Sequence, residues 1–375
     1  MKIAFVGTKG IPARWGGIET YVEQIGRRLV DRGHEVTVFG SRWYCRNWAG
    51  RHYRGIRIQG VPSLRLQASD ALSNGFFTTL KVIPASYQVV HFHGMASFFY
   101  LPVIRAAGKK TVVTVHAMES NWGNRKYGAL GRRVIKTAFL LGIRQAHCVT
   151  TVAPHLQDKL LRRYAVSSRL LPAGVPTAVN RPPSIILDKY GLDRESYLLF
   201  LGRIDPIKRI EWTLSLLDIL PGHLRLVVAG GAQDAATFDY WQGLKHRAGL
   251  DSRIIFTGPV QGREKEELFS NCLLFLTPSA DEGMPLTVME AAAYGRCSVV
   301  SDIAAFDSVI VDGHNGFLFA RNDPRAFQNI VKQLVGDVAR IHRVGDNARH
   351  MFAGLFDWEA AAAKAEALYK ALLAA

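Results

Sequence analysis

The chain has 375 residues, more than one ordinary core organises, and its 48% apolar and 21% charged content excludes a disordered or fibrous protein. No stretch approaches the ~18 uninterrupted apolar residues of a membrane span, because the best candidate, 134–153, is broken by Lys136, Arg144 and His147. The net charge of +16 is unevenly placed: residues 1–185 hold 27 Lys and Arg against 7 Asp and Glu, whereas 186–375 hold 20 against 24. A solvated basic surface is the plain explanation, and a first half that meets something anionic is the sharper one.

The opening "MKIAFVG" is too short for a secretory apolar region, and the four cysteines, Cys45, Cys148, Cys272 and Cys297, show no metal-ligand spacing. Buried thiols in a cytoplasmic protein are expected. The first strand ends at Val6 and a glycine-bearing loop follows. An amphipathic helix is then predicted from Ile18 to Asp31, stopped at Gly33. Gly16 and Gly17 lie against that helix start, where backbone can approach an anion or a sugar closely. A nicotinamide site is disfavoured, because the glycines are not spaced G-x-G-x-x-G and the second strand ends in "FGSRW", with Arg42 where an acidic ribose ligand is needed.

Further strands are predicted at "IRIQGV", "YQVVHFHG", "KTVVTVH" and "HCVTTVA", and in the second half at "YLLFLGR", "LRLVVAGG", "RIIFTGP", "CLLFLTPS" and "CSVVSD". Unbroken apolar runs separated by helical periodicity predict buried parallel strands with crossover helices, twice over. Pro172, Pro176, Pro182 and Pro183 mark a linker near 173–185. The expectation is two Rossmann-like, doubly wound α/β domains, 1–175 and 176–355, facing a cleft, with a helix over 356–375 that either packs on the second domain or bridges to the first.

Two constellations follow strands of the second half. In "FLGRIDPIKRI", Arg203 and Lys208 can together neutralise a diphosphate, the competing view being two solvated loop cations. No Asp-x-Asp or clustered ligand set accompanies them, so no metal and no cofactor are expected. In "DEGMPLTVMEA", Gly283 and the amides of Met284 and Leu286, around Pro285 near a helix start, form an anion site. Glu282 suits sugar hydroxyls, and Glu290 suits the paired hydroxyls of a ribose unless it is merely an exposed helix glutamate. The alanines and glycine after Glu290 favour packing there.

Those residues resemble the family-4 retaining glycosyltransferases of the GT-B fold: "GRIDPIKR", E-x7-E in "EGMPLTVME", and "GGIET" near the start. The opening "GTKGIPARWGGIET" is similar to a bacterial subgroup of cell-surface polysaccharide assembly that includes rhamnosyl- and mannosyltransferases. The resemblance implies an acceptor-binding first domain and a nucleotide-sugar-binding second. It implies that Arg203 and Lys208 hold the diphosphate, Glu282 lies near the donor sugar, Glu290 holds the ribose, Gly16 and Gly17 face the phosphate, and His116 stands near the transferred sugar. Met284 and Ala117 depart from residues common in the family, so donor-sugar preference is not carried over. His116 also admits a purely structural explanation as a hydrogen-bonded strand-end histidine.

A lipid-linked saccharide acceptor would be presented at a membrane. The stretch "SRWYCRNWAGRHYRGIR", with Trp43, Tyr44, Trp48 and Tyr53, and the cations Arg125, Lys126, Arg132, Arg133 and Lys136 suggest peripheral contact with an anionic membrane surface. No nucleic-acid module is recognisable. The alternatives are a sugar-nucleotide epimerase of the same architecture and a non-catalytic nucleotide-sugar-binding protein.

Overall fold

Runs of Val, Ile, Leu and Phe become the strands of two parallel sheets. The computed structural model describes residues 1–14, 16–64, 69–118, 128–175, 177–232, 235–249, 251–353 and 356–375. They form two compact units, Met1–Gly174 with Asp357–Ala375, and Val175–Phe356.

The first unit carries β1 (Lys2–Val6), β2 (Glu35–Ser41), β3 (His52–Tyr53), β4 (Ile56–Val61), β5 (Val89–Phe92), β6 (Lys110–Val115), β7 (Cys148–Thr151) and β8 (Arg169–Leu170). Their order is β3-β4-β2-β1-β5-β6-β7-β8, parallel except for the β3–β4 pair. The crossovers include α1 (Gly17–Asp31), α2 (Ser69–Val82), α3 (Leu101–Ala106), α4 (Ala129–Gln145) and α5 (Pro154–Tyr164). Helix α1 buries Tyr21, Val22, Ile25 and Leu29, residues at helical spacing. Fully burying each aliphatic one contributes about 1.5–3 kcal/mol, which is what holds the helix on the sheet.

The second unit carries β9 (Tyr197–Leu201), β10 (Arg225–Ala229), β11 (Ile254–Gly258), β12 (Leu274–Thr277), β13 (Ser298–Ser301) and β14 (Phe317–Phe319), all parallel in the order β11-β10-β9-β12-β13-β14. Its helices include α6 (Ile185–Tyr190), α7 (Ile210–Leu214), α8 (Ala235–Ala248), α9 (Gly262–Asn271), α10 (Leu286–Ala293), α11 (Ala304–Asp307), α12 (Pro324–Val335) and α13 (Val338–Phe352). Alternate residues of β9 feed opposite layers: Tyr197 and Leu199 join one buried cluster, Leu198 and Phe200 the other. Apolar layers on both faces explain why this strand is apolar without interruption.

Every strand expected from the sequence is present, and the added ones, β3, β8 and β14, are only two or three residues long. The apolar stretch 134–153 divides between α4 and β7. Among the described residues no helix is long and apolar enough to cross a membrane. The chain changes unit between Gly174 and Val175, and Pro176 lies outside the described residues. Beyond that point the segment is strapped to the second unit: Arg181 N donates to Ser270 Oγ at 3.0 Å, and the amides of Ser184 and Ile186 donate to Glu267 Oε2 at 3.0 and 3.2 Å.

The C-terminal helix, Trp358–Ala374, starts at Asp357, whose carboxylate accepts from the amides of Glu359 and Ala360 at 3.0 Å each. It packs on the first unit, pairing Glu359 with Arg28 at 2.8 Å and Glu366 with His34 at 3.1 Å. All four cysteines are free, with Cys45, Cys272 and Cys297 buried.

Candidate active site

Open parallel sheets bind ligands beyond the carboxyl ends of their strands, where the strand order reverses. In the first unit the reversal falls at β1, between β2 and β5; in the second it falls at β9, between β10 and β12. The loops leaving β1, β9 and β12 carry the expected site residues, and those leaving β5 and β6 carry histidines.

After β1, two glutamates of α1 hold the glycine loop. Glu19, buried, accepts from Thr8 Oγ1 at 3.2 Å and Lys9 N at 3.1 Å, and Glu23 accepts from Ala13 N at 2.8 Å. Gly16 is the N-cap of α1 at φ 106°, a conformation that disfavours other residues, and a Cβ there would meet Glu19 Oε2 at 2.5 Å. Gly17 opens the helix.

His116 follows β6 and is half-buried. Its Nε2 lies 3.1 Å from His93 Nδ1, and Tyr21 meets its ring edge-on at 5.1 Å. His93 follows β5, and His91 lies within it; sequence reasoning overlooked both, although "HFHG" at a strand end placed them where site residues belong. Burial pushes His91 and His116 down to about 3, and pushes His93 well below the usual imidazole value, with help from its two histidine neighbours. The three rings are therefore neutral at physiological pH.

In the second unit, Arg203 leaves β9 and is exposed, with Nη1 3.9 Å from Asp205 Oδ2. Asp205 caps the 3-10 turn Pro206–Lys208 by accepting from Ile207 N at 3.1 Å, and Ile207 O receives the amide of Ala280 at 2.8 Å. The loops after β9 and β12 are thereby tied together. Lys208 Nζ donates to Glu282 Oε1, which also accepts from Ser279 Oγ at 2.9 Å. Both donors use the same oxygen, and among the described residues none reaches Oε2.

Pro285 caps α10 and the helix begins at Leu286, one residue later than expected. Leu286 N turns back to Met284 O at 2.9 Å, so that amide is already engaged. Gly283 is half-buried at the turn, and Met284 and Leu286 pack against the core of the unit. Glu290 is a buried residue of α10 rather than an exposed one: Oε1 accepts from Lys265 Nζ at 2.7 Å, and Oε2 is buried without a partner among the described residues. A buried carboxylate oxygen facing no donor is costly unless a ligand supplies one. Lys265 was not foreseen, because a lysine within "GREKEELF" reads as one charge among several on a helix face.

The expected aromatic surface is not formed as expected. Tyr44 is buried, its hydroxyl accepting from Arg14 N at 2.9 Å; Trp43 donates to Asp70 at 3.3 Å, and Tyr53 bonds to Glu23 at 3.4 Å. On α4 the inward face is Ile135, Ala138, Phe139 and Ile143, whereas Arg132, Arg133 and Lys136 are exposed. Arg125 and Lys126 lie outside the described residues.

Two doubly wound parallel-sheet units of this kind define the GT-B fold. The model of the family described as Glycosyltransferase Family 4 matches residues 15–179, and that described as Glycosyl transferases group 1 matches 195–337. D-inositol 3-phosphate glycosyltransferase of Xylanimonas cellulosilytica is 28% identical, over 93% of this chain and 90% of that protein. GDP-mannose-dependent alpha-(1-6)-phosphatidylinositol monomannoside mannosyltransferase of Mycolicibacterium smegmatis is 24% identical, over 95% of each. The fold matches sucrose-phosphate synthase from Thermosynechococcus elongatus with a TM-score of 0.83, at 22% identity over 100% of this chain and 99% of the other. The chain belongs to the family-4 glycosyltransferases.

Proposed function

We propose that the chain is a retaining transferase that moves a hexosyl or deoxyhexosyl group, such as rhamnosyl or mannosyl, from a nucleotide diphosphate sugar to a lipid-linked saccharide acceptor in cell-surface polysaccharide or lipopolysaccharide assembly. The observation that carries this reading is the set of charged residues on the loops leaving β9 and β12 and on the helix α10 that follows: Arg203 exposed after β9, Lys208 held by Glu282, and Glu290 with one buried oxygen that has no partner among the described residues.

In this reading Glu290 Oε2 accepts from a ribose hydroxyl, while Arg203 and Lys208 balance the diphosphate. As the glycosidic bond to phosphate breaks, negative charge grows on the leaving group. Cations already in place stabilise it without reorganising, which is where a fixed site gains most of its rate. Glu282 holds Lys208 on one oxygen and offers the other to a sugar hydroxyl. Gly16 and Gly17 bring backbone toward phosphate, with His116 beside the transferred sugar. The acceptor proton passes to the departing phosphate on the face it vacates, so neither glutamate acts as nucleophile. No metal is required in this scheme, and no other cofactor.

Acceptors named for the relatives carry phosphate, and the basic first half of this chain suits an anionic acceptor. Peripheral membrane contact on the cytoplasmic side is part of the proposal. Its support is that Phe76, Leu80, Phe99, Val103 and Leu130 are exposed on α2, α3, α4 and the 3-10 turn Met95–Tyr100, elements of the first unit that pack against one another, and that Lys81, Arg105, Arg132 and Arg133 on the same helices are exposed as well. The deciding experiment is a panel of nucleotide sugars, with and without chelator, scored by product NMR. The α-linked donor should yield an α-linked product in chelator. Inverted product, isomerised donor without transfer, or activity restored only by a divalent ion would each contradict the scheme.

A further inference from the structure

Among the described residues the His116 ring is anchored by one hydrogen bond, and its neighbour dictates which way the proton lies. His93 is 1% exposed and packed by Phe5 and Tyr21, with ring centroids 5.2 and 5.8 Å away. Its Nδ1 meets His116 Nε2 at 3.1 Å, while its Nε2 is buried without a partner among the described residues. A neutral imidazole carries one N–H. Were it on Nε2, a buried donor would be orphaned, which folded proteins tolerate less than an unshared lone pair. The proton therefore belongs on Nδ1 of His93 and is donated to Nε2 of His116.

His91 cannot alter this. Thr150 Oγ1 donates to Val113 O at 3.2 Å, so Thr114 donates to Thr150 across their 2.6 Å contact. Thr114 then accepts from His91 Nε2 at 2.6 Å, and Tyr369 donates its hydroxyl proton to His91 Nδ1 at 2.6 Å. Both nitrogens of His91 are spoken for. Its ring lies 4.2 Å from that of His93, centroid to centroid, with no proton to pass between them.

We propose that His93 is a positioning residue that locks His116 in the Nδ1–H tautomer, so that His116 meets the sugar as a hydrogen-bond donor and not as a base. The Nδ1 of His116 has no partner among the described residues and is the nitrogen left for a ligand. A donor at that place would fix a sugar hydroxyl through its oxygen. This inference rests on the reading that His116 contacts the transferred sugar.

The test combines long-range proton–nitrogen spectra of the full chain, labelled with 15N-histidine and assigned against His116→Gln, with kinetics of two variants. His93→Asn keeps an N–H in the place of Nδ1, whereas His93→Asp presents only acceptors and demands the proton of His116 on Nε2. The wild type and His93→Asn should show His116 as Nδ1–H, with kcat of the variant within about threefold of wild type. His93→Asp should place a proton on Nε2 and lower kcat about tenfold or more, with donor KM within about threefold. An Nε2–H wild-type His116, or equal kcat in the two variants, overturns the proposal. If neither variant folds, the wild-type spectrum still decides the tautomer. Full transfer by His116→Ala would instead refute the contact with sugar, and is read separately from the spectrum.

Discussion

Lys208 donates to Glu282 although 74 residues separate them, because β9 and β12 are adjacent strands and their loops leave the same edge of one sheet. Each side chain is almost fully covered, at 13% and 14% exposure, so the ammonium is aimed rather than free to wander. Replacing Lys208 by Ala removes a cation from the proposed diphosphate site and leaves Glu282 with Ser279 as its remaining donor. The expected outcome is a kcat lower by about 10²–10³ with the melting temperature little changed. Near-normal turnover by purified Lys208→Ala would remove it from the machinery.

Glu290→Gln keeps the shape of the side chain but weakens both its pairing with Lys265 and its acceptance from a ribose. Donor KM should rise about tenfold while kcat moves less than about threefold, the signature of binding shared by ground and transition states. A fall in kcat at constant KM would place Glu290 at the reacting centre instead.

Tyr369→Phe deletes the donor to His91 Nδ1 and leaves a buried acceptor unpaired. The cost should be about 1–3 kcal/mol, seen as a lower first unfolding transition in calorimetry. An unchanged transition would mean that the C-terminal helix is held without this bond, by its apolar face through Trp358, Ala361, Ala362, Ala365 and Leu368 and by the pairs Glu359–Arg28 and Glu366–His34.

Acid should loosen the first unit. His91, His93 and His116 are depressed in the folded chain, two of them to about 3, and titrate near 6.5 when unfolded. Between those values the unfolded chain binds the extra protons. Their contribution is therefore fully present above pH 6.5 and is lost as pH falls toward 3. His91 and His116 each add up to about 1.4 kcal/mol per pH unit to the slope inside that window, and His93 acts in the same direction. Denaturant titrations at pH 7, 6 and 5 on wild type and His91→Gln measure it; equal slopes in the two proteins would contradict the assignment.

Membrane contact should depend on charge as well as apolar exposure. Wild-type protein is expected to sediment with anionic vesicles at low salt and to release as salt rises. Reversing Arg132 and Arg133 to Glu should weaken that binding about tenfold or more, at about 1 kcal/mol per cation near the surface. Sedimentation unaffected by salt and by both reversals would remove this face from consideration.

The strands were legible because burial on two faces demands uninterrupted apolar runs, and turn residues bound them; "YLLFL" could scarcely be anything else. Loop positions were legible for the same reason, since Arg203, His116 and Glu282 each follow such a run. The start of α10 slipped by one residue because Pro285 fits either the cap or the first turn. The aromatic segment 42–53 misled, since composition does not say which side chains face inward, and Tyr44 turned out to support the glycine loop.

The order of apolar and polar residues by itself determined two parallel α/β sheets, the strand-end placement of the polar residues and the family resemblance. Only the tertiary structure decided that Glu290 is buried beside Lys265, that Lys208 meets Glu282, and that His93 directs His116. Those pairings join residues 25, 74 and 23 positions apart. They depend on which strands lie side by side, a choice made by packing of the whole sheet and not by any local stretch of chain.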